Sequence, residues 1–108
     1  MATISSHVLD SVVGDHAKGI RIACFRLGEN GNEQLFDVIA NEEGRIVEQV
    51  EVVVGDRCEL VFHTNAYFQK EQQIMDEVVV RFRVADENGR IHIPLMLSPH
   101  SYSTWWSA

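Results

Sequence analysis

The most informative segment of the chain is RIHIPLMLSPHSYSTWWS, residues 90–107. Its first half carries apolar side chains at every second position, namely Ile91, Ile93, Leu95 and Leu97. This period of two predicts a strand with one face in a core, and it places His92 on the other face. A Ser-Pro-His turn follows, and a short strand is predicted over Ser101–Trp106. Because this end of the chain is so hydrophobic, we expect it to dock, at an interface.

The rest of the chain also alternates in short runs separated by turns. Six further strands are predicted, at Thr3–Leu9, Ile20–Leu27, Leu35–Ala40, Ile46–Val54, Cys58–Thr64 and Glu77–Val84. In the fourth of these strands one face is predicted to carry Ile46, Val50, Val52 and Val54. Two of the valine-rich runs, Val50–Val54 and Val78–Val84, offer strand edges that a partner should cover.

Only one helix is predicted, over Ala66–Gln72, with Asn65 as its N-cap. The turn at residues 86–89 is predicted to lead into a C-terminal hairpin. Seven or eight short strands at regular spacing with one helix predict an all-β protein, a sandwich of two sheets.

The composition limits the class of protein. A chain of 108 residues predicts one domain, and a net charge of −7 argues against nucleic acid or an anionic membrane as partner. The first residues lack the features of a secretory signal, and no run is apolar enough to span a membrane, so we expect a cytoplasmic protein. Cys24 and Cys58 lie in apolar strand patterns, which predicts buried reduced thiols.

Three motifs resemble one known family. They are the opening Ser6-His7-Val8-Leu9-Asp10, the turn Glu43-Gly44-Arg45, and the ending from His92 to Tyr102-Ser103-Thr104. Together they resemble the transthyretin-like family, whose enzymatic branch is 5-hydroxyisourate hydrolase. The resemblance runs from Ile4 to Thr104 and implies two four-stranded sheets with a helix between the fifth and sixth strands. It also implies a homotetramer, a dimer of dimers.

The sequence departs from the family pattern at two places. His16 stands where the family opening usually has proline. At the C-terminus Trp105, Trp106, Ser107 and Ala108 replace the usual Tyr-Arg-Gly-Ser.

The resemblance implies an active site built from His7, Arg45 and His92. Opening the lactam of a small oxidised purine needs a base for water, a positive group for the developing oxyanion and an acid for the leaving nitrogen. Imidazoles and a guanidinium supply these functions without a cofactor, and two histidines on separate strands are a weak zinc signal. Which histidine is the base stays open. The residues alone also allow both histidines to be solvated surface groups, as we predict for His16, His63 and His100.

The C-terminal tail, residues 105–108, allows several interpretations. Trp105, Trp106 and Ser107 are predicted to contact the substrate, although the indoles could equally anchor the tail in a subunit interface. The leading hypothesis is a 5-hydroxyisourate hydrolase-like enzyme acting on a small molecule. One alternative is a non-catalytic tetramer that binds an apolar ligand, and another is a related enzyme that opens a different ring.

Overall fold

The computed structural model describes residues 1–69 and 73–108, and it contains two sheets packed face to face. The strands are β1 Ala2–Asp10, β2 Asp15–His16, β3 Arg21–Arg26, β4 Glu33–Ile39, β5 Arg45–Val50, β6 Arg57–Phe62, β7 Val78–Arg83, β8 Arg90–His92, β9 Leu95–Leu97 and β10 Tyr102–Thr104. The described helix α1 spans Thr64–Phe68, between β6 and β7. The predicted all-β sandwich with one short helix is therefore confirmed. The sheets have six and four strands rather than four each, because the first sheet also contains the two-residue strand β2 and its strand at residues 90–97 is divided into β8 and β9.

Strand β1 is the centre of the first sheet. On one side, β1 pairs antiparallel with β5 along its first part and with β2 at its end. On the other side, it pairs parallel with β8 along its first part and with β9 at its end. Strand β10 adds to the outside of β9. The second sheet is antiparallel, with the order β4-β3-β6-β7.

The core lies between the sheets. Apolar side chains at alternate strand positions point into it, as the period of two predicted. Its largest fully buried side chains include Ile4, Ile20, Ile22, Leu60, Phe62, Leu95 and Leu97. Cys24 and Cys58 are buried and unbonded within it, and burial raises the pKa of Cys24 to about 12. In the described part of the chain, no helix is long and apolar enough to cross a membrane.

The C-terminal strand is interrupted at residues 93 and 94. Pro94 has no N–H to donate to a ladder, so the regular pairing stops there. Ile93 still holds this point against β1, because its N–H donates to the Ser5 carbonyl at 2.9 Å and its carbonyl accepts from Ser6 Oγ at 2.6 Å. The predicted continuous strand is therefore two strands, β8 and β9, on the same neighbour.

One strand boundary differs from the sequence prediction. The strand predicted over Ile46–Val54 ends at Val50, because Asp56 Oδ2 accepts the Val53 N–H at 2.9 Å and bends the chain. Val52 remains buried, but Val54 is exposed rather than facing the core. The turn at residues 86–89 crosses between sheets, because β7 belongs to the second sheet and β8 to the first. The C-terminal hairpin that it was predicted to lead into is formed by β9 and β10, which pair antiparallel.

Helix α1 begins earlier than predicted. Its N-cap position is His63, without a side-chain capping bond, and Asn65 lies inside the helix with Nδ2 donating to Asp76 Oδ1 at 3.0 Å. The helix ends at Phe68 and is followed by Gln69 in a left-handed conformation. The rest of the predicted helix, residues 70–72, lies outside the described residues. His63 is a partly covered surface histidine, with Nδ1 3.4 Å from Glu77 Oε2.

Candidate active site

The candidate site lies on the outer face of the first sheet, across β5, β1 and β8. The outer face of β1 carries Ser5 and His7, because side chains two residues apart point to the same side. Arg45 is the direct cross-strand partner of His7, and His92 is the partner of Ser5 on the opposite side of β1. The sheet register therefore brings together three side chains from three separate parts of the sequence.

His92 is held by Ser5 and by the C-terminal tail. Ser5 Oγ lies 2.8 Å from His92 Nδ1, and Ser5 itself is buried. The backbone of His92 exchanges two hydrogen bonds with Ser107, of 2.9 and 3.0 Å. Partners in such an antiparallel pair project to the same face, so Ser107 lies on the site side of β8. Burial lowers the pKa of His92, and the positive charges of Arg90 and Arg45 lower it further.

His7 is half-buried and has its own histidine neighbour. His7 Nε2 lies 3.1 Å from His16 Nδ1, a contact that the sequence analysis did not predict, although His16 is exposed as expected. Burial lowers the pKa of His7, as do the charges of Arg45, His16 and His92, while a hydrogen bond with the Glu43 backbone raises it. Arg45 thus acts electrostatically on both imidazoles, which is consistent with their convergence on one patch.

Gly44 sets the position of Arg45. Its backbone has φ +69°, and its carbonyl accepts the Val8 N–H at 2.8 Å. A Cβ atom at Gly44 would lie 2.5 Å from the Val8 carbonyl oxygen and 3.1 Å from the Ala17 nitrogen, so only glycine fits this turn. The Arg45 guanidinium projects from it half-exposed, with Nε 3.8 Å from Glu43 Oε2.

Two cavities flank this patch. One of about 350 Å³ adjoins His7 along β1 and is lined by Leu9, Asp10, Ser11, Gly14, Asp15 and Met96. A smaller one of about 100 Å³ lies at the other end of β8 and is lined by Trp106 together with residues such as Ile91 and Arg83. Among the described residues, no group of three or more His, Cys, Asp or Glu side chains could hold a metal ion.

The predicted site residues separate into two groups. His7, Arg45 and His92 lie on adjacent strands of one face, and Ser107 reaches them through its pairing with His92. Trp105 and Trp106 are 51% and 62% exposed, and the cavity lined by Trp106 contains none of the three. Substrate contact by the two indoles stays a prediction.

Sequence reasoning missed two residues of this patch, Ser5 and His16. Strand alternation places Ser5 on the same face as His7, so its proximity had a sequence signal. His16 had none, because its contact with His7 depends on the tertiary pairing of β2 with β1.

Comparison with known proteins places this arrangement in a family. The profile described as "Transthyretin: HIUase/Transthyretin family" matches residues 4–106. This chain belongs to the HIUase/Transthyretin family. The match confirms the family predicted from the three sequence motifs.

Relatives within the HIUase/Transthyretin family include named enzymes. The 5-hydroxyisourate hydrolase 2 of Rhizobium meliloti (strain 1021) is 33% identical over 112 residues, which cover 94% of this chain and 92% of that protein. The solved structure of Klebsiella pneumoniae 5-hydroxyisourate hydrolase is 25% identical and has a TM-score of 0.85. The match covers 100% of this chain and 100% of that chain. The (S)-allantoin synthase structure also has a TM-score of 0.85, at 24% identity, but this chain covers only 44% of it, so that likeness concerns the fold alone.

Proposed function

We propose that this protein is a ring-opening hydrolase of the 5-hydroxyisourate hydrolase type. The observation that carries the proposal is the convergence of His7, Arg45 and His92 on one exposed face, in a chain whose relatives are named 5-hydroxyisourate hydrolases. The comparisons support the enzymatic prediction and do not favour the non-catalytic alternative. The substrate is a small cyclic amide, and 5-hydroxyisourate is the member of that class to test first.

The reaction adds one water molecule across a ring amide bond. The water oxygen bonds to the carbonyl carbon while one of its protons passes to a base, and the carbonyl oxygen becomes an oxyanion. The bond between that carbon and the ring nitrogen then breaks, and the nitrogen leaves with a proton. The product is a carboxylic acid that ionises at neutral pH, so the site must supply a base, a cation and a returning proton.

His92 is the base in this proposal. Its Nδ1 is engaged by Ser5 Oγ, whereas its Nε2 has no hydrogen-bond partner among residues 1–69 and 73–108. Its lowered pKa keeps the ring neutral at neutral pH, the form that accepts a proton from water. Once protonated, the same imidazole can deliver that proton to the leaving nitrogen, so a single histidine serves both steps.

Arg45 and His7 bind and polarise the ring. The guanidinium is permanently charged and half-exposed, so it can donate hydrogen bonds to the oxyanion that forms on the carbonyl oxygen. His7, also neutral at neutral pH because its pKa is lowered, offers an imidazole nitrogen that can accept a hydrogen bond from a ring N–H. Ser107, Trp105 and Trp106 are proposed to complete the contact with the substrate from the tail.

The direct test is hydrolysis of freshly generated 5-hydroxyisourate, followed by the loss of its ultraviolet absorbance. Purified protein should accelerate the loss well above the rate in buffer, and His92→Gln should reduce kcat/KM by roughly 10²- to 10⁴-fold because the base is lost. His100→Gln is the matched control, since His100 is an exposed loop histidine away from the site. Decay at the buffer rate with wild-type protein would exclude this substrate.

We also infer a homotetramer, a dimer of dimers. Large apolar side chains are exposed on the outer face of the first sheet, including Val47 at 62% and Met96 at 42%, and the tail adds two exposed indoles. Strands β5 and β7 each have one free edge among the described residues. The edge of β7 is the one expected at Val78–Val84, whereas the edge expected at Val50–Val54 lies beyond the end of β5. Analytical ultracentrifugation tests the assembly, and a monomer at micromolar concentration would contradict it. The cytoplasmic location stays a prediction that cell fractionation would test.

A further inference from the structure

His16 contacts the His7 ring in a way that the mechanism above does not use. The two ring centroids are 5.2 Å apart, with the planes inclined at 39°. His16 pairs with Leu9 across β2 and β1, so its side chain lies on the same outer face as His7, one diagonal step away. Asp15 Oδ1 accepts the His16 N–H at 2.7 Å and fixes the local backbone. The contact is therefore built by the strand pairing.

The chemistry of the contact restricts the protons on His7. Two ring nitrogens 3.1 Å apart can share one proton but cannot both carry one, because two N–H groups directed at each other repel. The Glu43 backbone also raises the pKa of His7, and since Nε2 faces His16, Nδ1 is the ring nitrogen available to carry the His7 proton. With its proton on Nδ1, His7 Nε2 is an acceptor and His16 Nδ1 is the donor.

We propose that His16 is a positioning residue for His7, which fixes the tautomer and the orientation of the His7 ring by donating a hydrogen bond to Nε2. The His7 ring then presents a lone pair on Nε2, and a substrate N–H replaces the His16 donor when the substrate binds. This catalytic consequence rests on the proposed function, whereas the hydrogen bond itself does not. Proline, which the family opening usually has at this position, offers no such donor.

The groups around His7 determine how its pKa responds to a substitution of His16. Arg45 faces it from β5, His92 from β8 and His16 from β2, and the Glu43 carboxylate lies 3.8 Å from Arg45. Removing His16 takes away both a nearby positive charge and the donor that stabilises the neutral ring. Both changes favour the protonated form, so the pKa of His7 should rise.

The test is a histidine ¹⁵N NMR titration of the full chain carrying His16→Ala or His16→Asn. Wild-type His7 should populate the Nδ1–H tautomer and titrate below its ordinary value of 6.5. In His16→Ala we expect a mixture of tautomers and a titration shifted upward by roughly 0.5 unit or more. His16→Asn keeps an amide N–H donor. This variant should therefore retain the Nδ1–H tautomer of His7 and part of the lowering of the His7 pKa. His100→Ala is the matched control and should change neither quantity.

The kinetic arm measures kcat/KM against pH in the same variants. The acid limb should move to higher pH in His16→Ala and be partly restored in His16→Asn. An unchanged His7 tautomer and titration in His16→Ala would overturn the proposal, and so would an asparagine variant that behaves like the alanine variant. The NMR titration does not depend on turnover. A protein that is inactive on 5-hydroxyisourate but shows the expected titrations would therefore overturn the proposed function and leave the proposal for His16 intact.

Discussion

Among single residues, Arg45 has the widest electrostatic reach in the site. Its guanidinium lowers the pKa of both His7 and His92, and it extends half-exposed from the turn that Gly44 makes possible. A permanent cation beside two imidazoles keeps them neutral, while it also offers N–H donors to an oxyanion. In the proposed mechanism, one side chain thus connects the protonation state of the site with transition-state stabilisation.

Arg45→Met should therefore change both the rate and its pH dependence. We expect kcat/KM at its plateau to fall by roughly 10²- to 10³-fold, because the oxyanion loses its charged donor. The pKa of His92 should rise when the positive charge is removed, so the acid limb should move to higher pH. Both are measured from kcat/KM between pH 5 and about 9, a range that brackets the ordinary histidine pKa.

Arg45→Lys is the matched variant for this experiment. It keeps the charge but loses the planar pair of donors, so the acid limb should stay near its wild-type position while the plateau still falls. A plateau and an acid limb that are both unchanged in Arg45→Met would show that Arg45 does not act on the reacting groups.

At the level of elements, the site depends on turns that bring strands close together. Gly44 lies in the turn before β5, where its carbonyl holds Val8 and its missing side chain leaves room for the backbone of residue 17. Pro94 interrupts the pairing between β8 and β9, yet both strands remain on β1. These turns and interruptions therefore help to place Arg45 beside His7 and His92 beside Ser5 on β1.

Gly44→Ala should be destabilising and should also reduce activity. The new Cβ would approach the Val8 carbonyl oxygen to 2.5 Å in a left-handed backbone, so the turn must shift and Arg45 with it. We expect a loss of about 2–4 kcal/mol in the free energy of unfolding, measured from urea denaturation.

Gly14→Ala separates the two contributions to this loss. Gly14 has nearly the same φ, +71°, but nothing lies within 4 Å of the position that its Cβ would take. Its alanine variant should therefore lose only the backbone contribution of about 1 kcal/mol. Equal losses in the two variants would contradict the steric role of the Gly44 turn.

At the scale of the whole molecule, the C-terminal tail leaves two large aromatic side chains exposed. Trp105 and Trp106 are more than half exposed, although β10 and the Ser107 pairing hold the backbone around them. Large exposed aromatic groups next to a candidate site are typical of an interface between subunits. The proposed tetramer would cover them.

Tryptophan fluorescence should report that burial. In the assembled protein we expect emission at shorter wavelength than for a solvated indole, with a shift to longer wavelength on dilution below the assembly range found by sedimentation. Trp105→Phe and Trp106→Phe each leave one reporter, so the two positions can be compared. Emission that does not change while sedimentation shows dissociation would mean that the indoles stay outside the interface.

The sequence by itself determined the sandwich and the outward direction of His92, and through three family motifs it predicted that His7, Arg45 and His92 form one site. These features follow from local periodicity and from short motifs, which are properties of neighbouring residues. Only the tertiary structure decided that Ser5 holds His92 from 87 positions away, that His16 faces His7, and that Val54 is exposed beyond the end of β5. The physical reason is that alternation fixes which side of a strand a residue faces, whereas the register between distant strands fixes which residues it meets.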